Sequence, residues 1–107
     1  MNKYDIVING IMKLLQEYGC AVDVGIRYDG DLYKYSYSSG WVALPSEHKA
    51  TDIDQYACGT IHMTFEGAFY HEMNNRPSSV VRDKFLKLLS DNGLEYERGY
   101  AWSLSII

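Results

Sequence analysis

The stretch from Cys20 to Tyr37 constrains the fold more than any other part of this 107-residue chain. Cys20, Val22, Val24, Ile26 and Tyr28 alternate with Ala21, Asp23, Gly25 and Arg27, the period-two pattern of a strand with one buried face. Asp29 and Gly30 follow, the residue pair favoured in a two-residue type I′ turn because both central positions need positive φ. A hairpin closed there sets Ile26 against Tyr33, Val24 against Tyr35 and Val22 against Tyr37, so all three rings join the aliphatic face. Arg27 then opposes Leu32, Gly25 opposes Lys34, and Asp23 opposes Ser36 on a wet reverse face. A one-residue slip would turn the rings out and destroy this agreement. The rings are therefore expected in the core, with phenol oxygens at the sheet margin.

The flanking segments follow from similar patterns. Tyr4, Ile8, Ile11, Leu15 and Tyr18 recur at helical spacing; Asn2 with Asp5 suits the start and Gly19 the end. Gly10 inside that helix costs about 1 kcal/mol relative to alanine, which suggests close approach to a neighbouring backbone. Trp41 to Leu44 suits a short edge strand ended by Pro45, within a long irregular stretch from Ser38 to Gln55. A third main strand follows, with Ala57, Gly59, Ile61, Met63 and Phe65 on one face and Thr60, His62, Thr64 and Glu66 on the other. It bends or bulges at Gly67 and continues through Phe69. Val81, Phe85, Leu88 and Leu89 mark a second helix, with Pro77 before it and Asn92 and Gly93 ending it. The last strand runs Leu94, Tyr96, Tyr100, Trp102, Leu104 and Ile106 along one face, with Arg98 intruding; Glu95, Glu97, Gly99, Ser103 and Ser105 take the reverse. These elements predict one α+β domain spanning residues 1–107. It is a two-layer sandwich, an antiparallel sheet of about four strands with two helices on one face, in the order α-β-β-β-α-β.

Several functions are excluded or disfavoured. Ten lysines and arginines against fourteen acids leave a net charge of −4, without the basic footprint of a general nucleic-acid binder. Cys20 and Cys58 lack metal-ligand spacing, and each reads as a small apolar strand residue. The run from Phe69 to Asn75 begins like the zinc signature HExxH. The second histidine is absent, however, and on a strand His71 and Glu72 would point apart. His62 and His48 read as solvated side chains. No serine or cysteine has a nucleophile-elbow setting and no glycine-rich phosphate loop occurs. Glu66 and Glu72, as a paired acid and base, would need to converge in a pocket. The expectation is a non-catalytic protein with no cofactor and no metal.

Charge placement remains. Asp29, Asp31, Glu47, Asp52 and Asp54 cluster in sequence around the hairpin turn and the long loop, while Glu95 and Glu97 line the outer face of the last strand. With Trp41, these are the candidate partner-binding residues, suited to a positively charged groove. In size, mild acidity and helix–strands–helix order the chain resembles phage-borne anti-defence proteins, including anti-CRISPR inhibitors, and immunity proteins that neutralise nucleases. That resemblance, carried by no motif, implies a cytoplasmic inhibitor that occupies a partner's basic, nucleic-acid-binding groove without itself binding nucleic acid or membrane. The absence of a signal-peptide pattern or a run of roughly 20 apolar residues fits the same expectation. Two alternatives stand beside it: a small-molecule binder or sponge with an aromatic-lined pocket, and a structural module that homo-oligomerises through the last strand.

Overall fold

The computed structural model describes residues 2–107. Helix α1 spans Lys3–Glu17, and its first turn is closed by the Asn2 side chain, whose Oδ1 accepts from Asp5 N at 2.9 Å. Gly19, at φ +70°, ends it. Strands β1 (Val24–Tyr28) and β2 (Asp31–Ser36) pair in the expected register, with Ile26 opposite Tyr33 and Arg27 opposite Leu32. The turn between them has Asp29 at φ 53° and Gly30 at φ 84°, as a type I′ turn requires. Strand β3 (Gly40–Pro45) adds to the outer side of β2 as an edge.

The hairpin is shorter than its alternation implied. Asp23 takes positive φ (64°), so Cys20 and Ala21 are buried outside the strand and β1 begins only at Val24. Tyr33 and Tyr35 are half-buried against the core, but Tyr37 falls in the turn after β2 and is 86% exposed. Two of the three rings pack against the core, at its margin.

Two larger corrections concern the second half of the chain. Strand β4 (Ile61–Phe65) does not continue past Gly67, whose φ of +63° turns the chain into helix α3 (Gly67–Asn74). Phe69 and Met73, four residues apart, are its buried face, and Phe69 packs edge-on between Phe65 and Phe85. Helix α4 (Val80–Asp91) follows, capped by the Ser79 hydroxyl, which accepts from Arg82 N at 3.1 Å. The final segment is a hairpin, β5 (Tyr96–Arg98) and β6 (Ser103–Ile106), in which Tyr96 faces Ile106 and Arg98 faces Leu104. Even-numbered residues oppose even-numbered ones across this turn, so the alternation of one long strand survives the reversal.

The sheet is therefore six-stranded and antiparallel, in the order β3-β2-β1-β4-β6-β5. One face, carrying Val24, Ile26, Ile61, Met63, Phe65, Leu104 and Ile106, is buried beneath α1, α3 and α4. Burying a Leu- or Phe-sized side chain stabilises by about 2 kcal/mol, so this layer dominates the folding energy. Helices α1 and α4 pack against each other where Gly10 meets Leu88; a Cβ on Gly10 would lie 2.8 Å from Leu88 Cδ2. The close neighbour is thus a leucine side chain rather than backbone. Among the described residues no helix is long and apolar enough to cross a membrane.

Candidate functional site

The reverse face of the sheet is not the open, wet surface that the hairpin pattern suggested. The segment between β3 and β4, which includes the short helix α2 (Ala50–Ile53), folds across its middle. Ser46 N donates to Gly30 O at 2.9 Å, tying the segment to the hairpin turn, and Cys58 N donates to Ser105 Oγ at 3.0 Å, tying it to β6. Gly59 passes so close to β6 that a Cβ there would lie 2.5 Å from Ile106 O, and its φ is +70°.

Beneath this roof sits a buried polar layer. Asp54 and His62 are 1% and 3% exposed, and Asp54 Oδ2 lies 3.0 Å from His62 Nε2. Ser103 and Ser105 are buried beside them, and Gly99 leaves room for the carboxylate: a Cβ there would be 2.5 Å from Asp54 Oδ2. Burial alone would push the Asp54 carboxyl up. Hydrogen bonds from His62, the Ser103 hydroxyl and Tyr56 N–H outweigh it and hold the group below its ordinary value. Asp54 is an anchor for His62, so it cannot meet a partner as the sequence suggested. His62 likewise is no solvated side chain.

A cavity of about 560 Å³ opens between this layer, the hairpin end and the roof. Arg27 and His62, opposite each other on β1 and β4, form its floor. Arg27 Nε and His62 Nδ1 are both shut off from solvent with no hydrogen-bond partner. Burial pulls the Arg27 guanidinium below its ordinary value, and no carboxylate within ion-pair distance offsets this among the described residues. Asp29, Asp31 and Glu47 stand around the cavity with His48 and Lys49. Cys58 lines it too, but its thiol makes no bond to His62 Nδ1, so no assembled nucleophile–base pair exists here.

The predicted partner-binding residues thus separate. Asp29, Asp31 and Glu47 come together; Asp52, on α2 of the same segment, is exposed and spends one oxygen capping Lys49 N at 3.0 Å. Glu95 and Glu97 lie at β5, the opposite edge of the sheet. Trp41 belongs to the helical side, where its Nε1 donates to Met12 O at 3.0 Å. His71 and Glu72 lie on helix α3 rather than a strand, with Asn75 where a second zinc histidine would stand; the Asn75 side chain bonds His71 Nδ1. Glu72 is taken up by Arg76 and the Ser79 hydroxyl, and Glu66 precedes the first turn of α3. Among the described residues no group of three or more His, Cys, Asp or Glu side chains is arranged to hold a metal.

No family model matches the chain, and comparisons with curated proteins and with solved structures found no match.

Proposed function

We propose that this is a non-catalytic binding protein that sets the mouth formed by Asp29, Asp31 and Glu47 against a basic surface of a protein partner, filling a groove that otherwise holds nucleic acid. One observation carries the reading: these three acidic residues line a single cavity and none is in an ion pair among the described residues. The phenol of Tyr33, raised first by burial, is raised further by Asp31 and Asp29 of this group and by Asp5 on α1. A mouth of net negative charge steers association with an oppositely charged surface and makes the rate fall with ionic strength.

The test compares the chain with a variant carrying Asp29→Asn, Asp31→Asn and Glu47→Gln as baits in a lysate of the native host. A retained basic protein is then purified and its association rate measured at two salt concentrations. The reading expects the variant to lose that protein and the wild-type rate to fall about tenfold or more from low to physiological salt. Equal retention by both baits, or a rate indifferent to salt, would overturn it.

A further inference from the structure

We infer that two copies of this chain pair through the open edge of β3, antiparallel about a two-fold axis at Ala43, and so join their sheets into one. The contact is made by other residues than the docking surface proposed above.

The two edges of the sheet differ in chemistry. Strand β5, at one end, is three residues long, and Glu95, Glu97 and Arg98 place charge along it. An edge of that kind resists pairing. Strand β3, at the other end, runs six residues, Gly40–Pro45, without a charged side chain. Of the segment expected as one last strand, β6 lies inside the sheet and β5 is the blunted edge, so self-pairing falls to β3.

The ladder shows which backbone groups this edge offers. Ser46 N donates to Gly30 O one step beyond the Asp31–Pro45 pair. Hydrogen-bonded pairs alternate along an antiparallel ladder, so Gly40, Val42 and Leu44 bond to β2 while Trp41 and Ala43 direct N–H and C=O outward. Pro45, which has no N–H, falls in the outward set, where the β2 ladder needs none.

Centred on Ala43, the edge is its own complement. The two Ala43 residues exchange N–H to C=O bonds, and Trp41 N–H of each copy meets Pro45 C=O of the other. Ala43 is exposed, so nothing covers the axis on the helical side. On the reverse face Val42, 38% exposed, lies beside Leu44, 53% exposed, of the second copy, and both lose contact with water. Charge agrees with this pairing. The antiparallel seam sends the two acidic hairpin turns to opposite ends. Lys13 and Glu17 flank Trp41 beside the edge, and neither is in an ion pair among the described residues, so each copy offers both signs to the other. Because β5 is blunted, assembly closes at two copies.

Sedimentation equilibrium of the full chain tests this. The mass is expected to rise from 12.3 kDa towards twice that value, with a Kd of about 10–100 µM for so short a seam. Ala43→Pro removes the outward N–H at the axis but no bond to β2, and should weaken association at least about tenfold. Two further variants read the register on exposed side chains. Val42→Lys with Leu44→Lys sets like charges together across the seam, whereas Val42→Lys with Leu44→Glu sets opposite charges together. The second is expected to associate at least about tenfold more tightly than the first, with core amide spectra unchanged in both. Equal association by these two variants would overturn the inference. So would a monomer mass up to about 500 µM, which would leave the edge to an extended segment of a different protein. Partner capture by the acidic mouth is measured at concentrations where the chain is monomeric, so failure of either reading leaves the other standing.

Discussion

Asp54 and His62, eight residues apart in the chain, meet at 3.0 Å beneath the roof of the polar face with almost no exposure to solvent. Their contact joins the segment after β3 to the central strand β4, so it positions the cavity floor as well as holding the fold. Removing one member of such a pair strands the other in a low-dielectric interior.

Asp54→Ala is therefore expected to lower the unfolding free energy by about 3 kcal/mol, read from urea denaturation at neutral pH. The pH dependence has a definite sign. The folded carboxyl lies below its ordinary value of 3.8, so the unfolded chain binds the proton more readily. The stabilisation is complete above that value and is lost as pH falls through the lower, folded value. Asp54→Asn should flatten this acid limb; a limb of unchanged steepness would show that another group controls it.

Gly59 and Gly30 both have positive φ but differ in surroundings. A Cβ on Gly30 meets nothing within 4 Å, whereas on Gly59 it would lie 2.5 Å from the Ile106 carbonyl. Gly30→Ala should cost about 1 kcal/mol, from the left-handed conformation alone. Gly59→Ala should cost about 3 kcal/mol or more, because backbone must move. Equal losses in thermal or urea unfolding would refute the close passage of the roof over β6.

Trp41 belongs to the packing of β3 onto α1. Trp41→Phe keeps most of the ring contact with Tyr35 and removes the hydrogen bond to Met12 O, so a loss of about 1 kcal/mol is expected. Partner capture should be unaffected. A variant of normal stability that no longer captured the partner would return Trp41 to the binding surface.

Tyr33 reports on the charge around the hairpin turn. Its phenol is raised above 10.0 by burial first and then by Asp31, Asp29 and Asp5. Replacing Asp29 and Asp31 by asparagine removes negative charge that opposes the phenolate, so its titration, followed by ¹³C resonance of Cζ, should move down towards the ordinary value. An unmoved titration would mean that these carboxylates are screened from the ring.

Local chemistry determined a large part of this protein. The Asp29–Gly30 turn admits one hairpin register, and capping residues such as Asn2 and Gly19 bound α1 because their effects need only neighbouring backbone. The same local view misread Gly67 and the reversal at Gly99–Trp102. Phe65 and Phe69 fit both a strand and a strand-to-helix corner, and pairing of even with even positions hides the turn between β5 and β6. For the candidate site, Asp29, Asp31 and Glu47 were legible as acids near one turn. Arg27 and His62 were not, and Asp54 was read as a surface acid, since the reverse face of a hairpin looks the same in sequence whether water or a roof covers it. The decision came from contacts distant along the chain, Cys58 to Ser105 and Ser46 to Gly30, which close the polar layer over Arg27, Asp54 and His62. Burial is a property of the assembled layers, and no short stretch of residues contains it.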